Sequence, residues 1–138
     1  MAGMEFIQTV VIGASPAVVW RAITDPELVA QYHLAGLKVF EAQVGGGIVY
    51  GSAEADMIVG RVVRVEPEVR LEHTFRFEGH EGAEGDAETM VSYRLEGGVE
   101  GTKLTLVHGG FAKENQTYAN VCGGWPVILE GLKEVAER

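Results

Sequence analysis

Residues 88–108 read ETMVSYRLEGGVEGTKLTLVH, and their pattern decides the fold. Apolar and polar residues alternate on both sides of a glycine-rich centre, which is typical of two antiparallel strands with one buried face. We therefore predict strands over 88–96 and 102–108, joined by a turn over 97–101. The inward faces are predicted to carry Val91, Tyr93, Leu95, Leu104, Leu106 and His108.

The segments before this hairpin also favour strands. Alternation and β-branched residues predict a first strand over residues 5–12. Four more are predicted between residues 37 and 77, separated by the glycine run 45–47 and by Pro67-Glu68. Their bounds are 37–44, 48–52, 57–66 and 70–77.

Helical patterns occur at three places. Ser15 and Asp25 each precede a proline, a pairing that favours the first turn of a helix, so short helices are predicted over 17–23 and from Asp25 through Tyr32. A stripe of apolar residues with a period near 3.6 predicts one long helix over 114–137. Within it, Gly123-Gly124 weakens the helix and could allow close approach to the sheet or to a ligand. Pro126 should kink the helix or begin a new turn.

Composition excludes several classes of protein. The 138 residues fit one domain, over 1–138, and their net charge of −9 argues against nucleic acid and against anionic membranes as partners. Cys122 is the one cysteine and cannot form an internal disulfide. No basic stretch followed by an apolar one opens the sequence, so we expect a cytoplasmic protein. His33, His73, His80 and His108 lack the short spacing of a zinc site, and we expect no metal and no cofactor.

Motifs spread along the chain resemble a known family. They include the segment from Ala14 to Trp20, Thr24 to Glu27, Val44 to Gly47 and Gly101 to Phe111, followed by Gly124-Trp125. In order and spacing they are similar to the family related to the C-terminal domain of the activator of the 90-kDa heat-shock-protein ATPase, within the START-like, birch-pollen-allergen-like superfamily. The resemblance implies an α+β helix-grip fold, in which a curved seven-stranded antiparallel sheet, two short helices and a long C-terminal helix enclose a cavity.

Polar and aromatic residues on the inward faces are the candidate site. His73 and His108 are in phase with apolar neighbours, so each either satisfies a neighbouring backbone carbonyl or orients a ligand in the cavity. Tyr93 could add a hydroxyl donor, while Tyr118 and Trp125 face the sheet as core or as ligand contacts. The predicted ligand-binding residues are Phe75, Tyr93, His108, Tyr118, Trp125 and His73; none is assigned a catalytic role.

Three functions remain open. The first is binding of a hydrophobic small molecule or lipid in the cavity, which is favoured because no acid–base cluster is visible. The second is a cyclase-like or hydrolase-like enzyme that uses a cavity His or Tyr, as the resemblance allows. The third is an interaction protein similar to a co-chaperone, with chaperone contact as its activity. Both a monomer and a homodimer are compatible with the sequence.

Overall fold

The computed structural model describes residues 4–79, 82, 83 and 85–138. Seven strands and three helices follow the predicted order. The strands are β1 (Met4–Ile12), β2 (Gly36–Phe40), β3 (Gly47–Gly51), β4 (Asp56–Glu66), β5 (Arg70–Phe77), β6 (Thr89–Gly98) and β7 (Gly101–Phe111). The helices are α1 (Pro16–Thr24), α2 (Pro26–Val29) and α3 (Gln116–Ala136).

All seven strands form one antiparallel sheet in the order β1-β7-β6-β5-β4-β3-β2. The central pair sets the register, with Tyr93 opposite Leu106 and Leu95 opposite Leu104. These four side chains are almost completely buried, whereas Arg94 and Lys103 point to the other face and are exposed. The α+β fold and the alternation predicted from the sequence are confirmed.

Side-chain caps begin the three helices. Ser15 Oγ accepts from Val18 N, Asp25 Oδ1 from Glu27 N, and Asn115 Oδ1 from Tyr118 N. Helix α2 ends at Val29 rather than at Tyr32, because the following amides bond three residues back: Gln31 N donates to the Leu28 carbonyl and Tyr32 N to the Val29 carbonyl.

Helix α3 is continuous through Pro126, which lies on its exposed side. Its buried side contributes Trp125, Leu129 and Leu132 to the core. No helix in the described ranges is long and apolar enough to cross a membrane.

Two strand ends differ from the sequence prediction by three or more residues. Strand β2 stops at Phe40, because Glu41 starts a tight turn in which its carboxylate accepts from Gly47 N. Strand β7 continues past His108 to Phe111, three residues beyond the end predicted from the sequence. Gly110 has a φ of +92°, a conformation that glycine adopts easily, and Gly109 pairs with Met90.

Candidate functional site

An apolar cleft of about 350 Å³ lies between the first half of α3, the segment 33–35 and strands β4 and β5. Its volume is within the range of small-molecule sites. Leu34 and Met57 stand at its edge and are partly exposed, by 67% and 38%. Its interior is mostly hydrocarbon and aromatic, with walls formed by Ile58, Phe75, Phe77, Val121, Trp125 and Ile128.

The glycine pair on α3 keeps this cleft open. Apart from the neighbouring residues and backbone of α3 itself, a Cβ added at Gly123 would meet no heavy atom within 4 Å, and one at Gly124 would meet only the Leu34 side chain, at 3.6 Å. Both glycines line the cleft. Longer side chains at these positions would occupy space that is now free. The two glycines therefore lower the local helix propensity but preserve the volume of the cleft.

His33 supplies one polar group to the cleft. Its Nδ1 accepts a hydrogen bond from Ala35 N at 3.1 Å, which places the proton of the neutral ring on Nε2. The ring stacks on Tyr50 with centroids 4.6 Å apart. Burial lowers the pKa of His33 to about 4, so the ring is neutral at pH 7. Among the described residues, Nε2 has no hydrogen-bond partner.

Asn120 supplies the second polar group. Its Oδ1 accepts from Gln116 Nε2 at 2.8 Å. Its Nδ2 is sheltered from water and has no hydrogen-bond partner among the described residues. An amide nitrogen left in this state costs free energy that a suitable acceptor would recover. Asn120 lines the cleft, but its Nδ2 atom has almost no accessible surface there.

His108 lies in the core beneath the cleft, where both ring nitrogens are occupied. Trp125 Nε1 donates to its Nδ1 at 2.9 Å, and its Nε2 is 2.7 Å from Thr89 Oγ1. Since the indole N–H can only donate, His108 Nε2 must carry the proton and donate to Thr89, whose hydroxyl donates to the Phe75 carbonyl. Burial lowers the pKa of His108 to about 3, with a further contribution from His73.

His73 occupies a second buried position. Its Nδ1 donates to the Thr74 carbonyl at 2.8 Å, as expected for a histidine satisfied by a backbone carbonyl, while Nε2 is buried without a partner. The centroid of its ring lies 6.4 Å from that of Tyr50 and 6.1 Å from that of Tyr93. Burial lowers the pKa of His73 to about 4 and raises that of Tyr50 to about 12.

The six predicted ligand residues therefore divide into two groups. Phe75 and Trp125 line the cleft. His73, Tyr93 and His108 lie deeper, at most 3% exposed, and do not line it. Tyr118 packs against Phe111 with ring centroids 5.1 Å apart, next to Cys122. Ligand contact by all six residues remains a prediction.

Sequence reasoning did not select His33 and Asn120 as ligand residues. His33 follows a short helix and lies in no strand, so no alternation of residues marks its side chain as facing inward. Asn120 lies beside the apolar stripe of α3 rather than in it. The signal that could have located Asn120 is Gly123-Gly124, since a side chain one turn before a glycine pair on a helix borders the space that the pair leaves open. His80 lies outside the described residues. Within the described ranges, no three His, Cys, Asp or Glu side chains are grouped to hold a metal ion.

Together, the sheet, the gripping helix and the cleft between them define a START-like helix-grip protein. Residues 13–137 match the family model described as "Activator of Hsp90 ATPase homolog 1-like protein". The chain belongs to this family, which confirms the resemblance found in the sequence.

Solved structures share the fold over nearly the whole chain. Protein MLL2253 from Mesorhizobium loti is 25% identical with a TM-score of 0.81, and the match covers 96% of both chains. DynU16, a protein in the dynemicin biosynthetic locus, is 27% identical with a TM-score of 0.78, over 94% of this chain and 46% of DynU16. The Aha1 dimer from Colwellia psychrerythraea, at 20% identity and a TM-score of 0.76, covers 97% of this chain and 96% of its own and shares the fold. No curated protein matches the sequence.

Proposed function

We propose that this protein binds an apolar small molecule in the cleft between α3 and strands β4 and β5. The observation that carries the proposal is the cleft itself, about 350 Å³ of open space walled by hydrocarbon and aromatic side chains. Removing such surface from water contributes about 25 cal/mol per Å², so a ligand that covers Ile58, Phe75 and Trp125 would be bound by the hydrophobic effect.

The edge of the cleft supports the same function. Leu34 and Met57 are exposed apolar residues that line the cleft, and unbranched Met adapts its shape to what it contacts. Family membership adds support, because hydrophobic ligands are bound by proteins of this superfamily. The match to a protein from a biosynthetic locus also supports a small-molecule role.

The enzyme alternative gains less support from the geometry. His108 already uses both ring nitrogens in hydrogen bonds, and His73 lies behind the cleft wall. A general acid or base must come within about 3 Å of the group that it protonates or deprotonates, directly or through one water. Binding without catalysis therefore fits these side chains better.

The test is a titration with 1-aminoanthracene, an uncharged fluorescent probe, monitored by its emission. The wild type should bind one probe saturably. Gly124→Leu should abolish binding, because its side chain extends from a helix position at which a Cβ already meets Leu34. Gly124→Ala is the matched control: it makes the same change in helix propensity but adds one methyl group, and it should bind as the wild type does.

Native mass spectrometry of the same samples reports both bound mass and oligomeric state. A co-purified apolar molecule that is present in the wild type and absent from Gly124→Leu would support the proposal. A wild type that binds no probe, or a folded Gly124→Leu that binds it normally, would contradict it and favour the co-chaperone-like alternative. A homodimer, as in the Colwellia protein, would be seen directly in the mass.

A further inference from the structure

Accepting the cleft as a ligand site, we propose that His108 is a positioning residue for ligand binding: it fixes the indole ring of Trp125, which forms part of the cleft wall. His108 does not line the cleft itself, whereas Trp125 and Phe75 do. Its contribution to affinity is therefore indirect, through the orientation of Trp125. This role presupposes the binding function proposed above and adds to it a residue that lies behind the wall.

Trp125 is held by its indole N–H, which donates from Nε1 to His108 Nδ1 at 2.9 Å. The two rings have centroids 6.0 Å apart and planes inclined by 73°. Trp125 is 4% exposed and His108 is 0% exposed, so solvent does not compete for this bond. A buried N–H that loses its acceptor costs free energy, so the indole ring keeps the orientation that makes the bond.

His108 is itself held in place by Thr89 and Phe75. Its Nε2 lies 2.7 Å from Thr89 Oγ1, and that hydroxyl donates to the Phe75 carbonyl at 3.3 Å. An imidazole that accepts at Nδ1 and donates at Nε2 must be neutral, and burial keeps it so by lowering the pKa of His108 to about 3. The His108 ring also packs edge-on against the Phe75 ring, with centroids 4.6 Å apart. These bonds connect helix α3 to strand β5 behind the cleft.

The orientation of Trp125 matters to a ligand because the wall exposes little of each ring. Trp125 and Phe75 are both 4% exposed, so a small rotation of the indole would change the shape of the wall. A wall that is already ordered costs a ligand less to bind than one that the ligand must order. Releasing the indole should therefore weaken binding although every residue that lines the cleft stays the same.

The test is a titration of three variants with 1-aminoanthracene at pH 7.5. His108→Leu removes the acceptor of the indole N–H and should weaken binding by about fivefold or more, a usual size for coupled neighbours. His108→Asn is its conservative counterpart, because the asparagine Oδ1 can accept in place of Nδ1, and it should bind at least about threefold more tightly than His108→Leu. Leu132→Ala is the control for stability: Leu132 is buried away from the cleft, so this variant should lose stability to urea but keep its affinity.

Trp125→Phe distinguishes positioning from direct contact between His108 and the ligand. This variant has no indole N–H for His108 to hold, so adding His108→Leu to it should weaken binding by less than about twofold. A direct contact would instead be lost to the same extent in both backgrounds.

Exchange of the indole protons with deuterium, followed by NMR, reports the bond in the wild type. The protein has two tryptophans, so the loss of one indole signal in Trp125→Phe or in Trp20→Phe assigns both. The Trp125 indole proton should exchange at least about tenfold more slowly than that of the half-buried Trp20. This protection should fall in His108→Leu and be retained in part in His108→Asn.

The outcomes separate the two proposals. A His108→Leu variant that binds as tightly as the wild type, or that loses the same factor in the Trp125→Phe background, would overturn the positioning role and leave the cleft as a binding site. A wild-type Trp125 indole proton that exchanges as fast as that of Trp20 would do the same. If 1-aminoanthracene does not bind the wild type, the binding function fails together with the role that rests on it.

Discussion

The two halves of α3 meet the rest of the protein in opposite ways, and two glycines show the difference. At Gly131, in the second half, an added Cβ would lie 2.7 Å from the Tyr32 Cβ, so glycine is there to allow close packing. At Gly124, in the first half, an added Cβ would find only the Leu34 side chain, at 3.6 Å. Glycine therefore allows close packing of α3 at one end of its interface with the rest of the protein and leaves free space at the other end.

Polar contacts reinforce the closed end. Lys133 Nζ donates to the Val11 carbonyl at 2.8 Å, and Glu137 accepts from Gly13 N at 2.7 Å, so the end of α3 is tied to the end of β1. At the open end, His33 Nε2 and Asn120 Nδ2 have no partners in the described structure. We infer that stability comes mainly from the second half of α3 and that binding belongs to the first.

The largest expected effect is at the closed end. Leu132 is 1% exposed in the core, so Leu132→Ala removes buried hydrocarbon and leaves a cavity. The free energy of unfolding should fall by about 2–5 kcal/mol, measured by urea denaturation. Val127→Ala is the control on the same helix, because Val127 is 59% exposed and its truncation should change stability by less than about 0.5 kcal/mol.

The Leu132→Ala variant also tests the comparison between the two halves of α3. Folded Leu132→Ala should still bind 1-aminoanthracene, because Leu132 does not line the cleft. A loss of stability below about 0.5 kcal/mol would show that the second half of α3 is not the closed end that its burial indicates.

The next largest expected effect is a loss of stability at low pH, caused by the buried histidines beneath the cleft. His73 and His108 have pKa values lowered by burial to about 4 and about 3, against an ordinary 6.5. Below pH 6.5 these histidines become protonated in the unfolded chain but stay neutral in the folded protein. Their contribution to the free energy of unfolding is therefore complete above pH 6.5 and is lost as the pH falls toward 4. Each histidine should contribute a slope of up to about 1.4 kcal/mol per pH unit. Urea midpoints between pH 7 and pH 5 measure it.

His73→Phe provides the control for that slope. The variant removes one of the buried titrating groups, so the dependence on pH should become shallower by up to about 1.4 kcal/mol per unit. Comparing the two slopes isolates His73, because all carboxylates are the same in the wild type and in the variant. Equal slopes for wild type and variant between pH 6.5 and 5 would mean that His73 is protonated as easily in the folded protein as in the unfolded chain.

Most of the fold could be predicted from the sequence, because local patterns specify it. Alternation located all seven strands, and the 3.6-residue period located α3 to within two residues at its start. The errors occur at strand ends whose positions are determined by tertiary contacts. The end of β2 depends on the bond from Gly47 N to the Glu41 carboxylate, and the end of β7 on Gly109 pairing with β6. Neither contact leaves a periodic signal.

The site could be predicted only in part, for a geometric reason. Strand phase separates inward from outward side chains, but an inward side chain can lie in the packed core, as His108 does, or in the cleft wall, as Phe75 does. Which of these it becomes depends on how the segment 33–35 and the sheet edge approach α3. Three sequence features marked the right place: Phe75, Trp125 and Gly123-Gly124, a costly pair in a helix.

The smallest expected effect tests the opening comparison directly. Gly124→Ala adds a methyl group at ordinary contact distance and improves helix propensity, so it should stabilise the protein by up to about 1 kcal/mol. Gly131→Ala makes the same chemical change in the same helix, but its Cβ would overlap Tyr32 and force a shift, so the gain is outweighed and stability should fall by about 1 kcal/mol. Urea midpoints of the two variants, measured side by side at pH 7.5, should therefore move in opposite directions. If both move upward, Tyr32 yields without cost and the second half of α3 is not closed; if both move downward, the space beside Gly124 is not free.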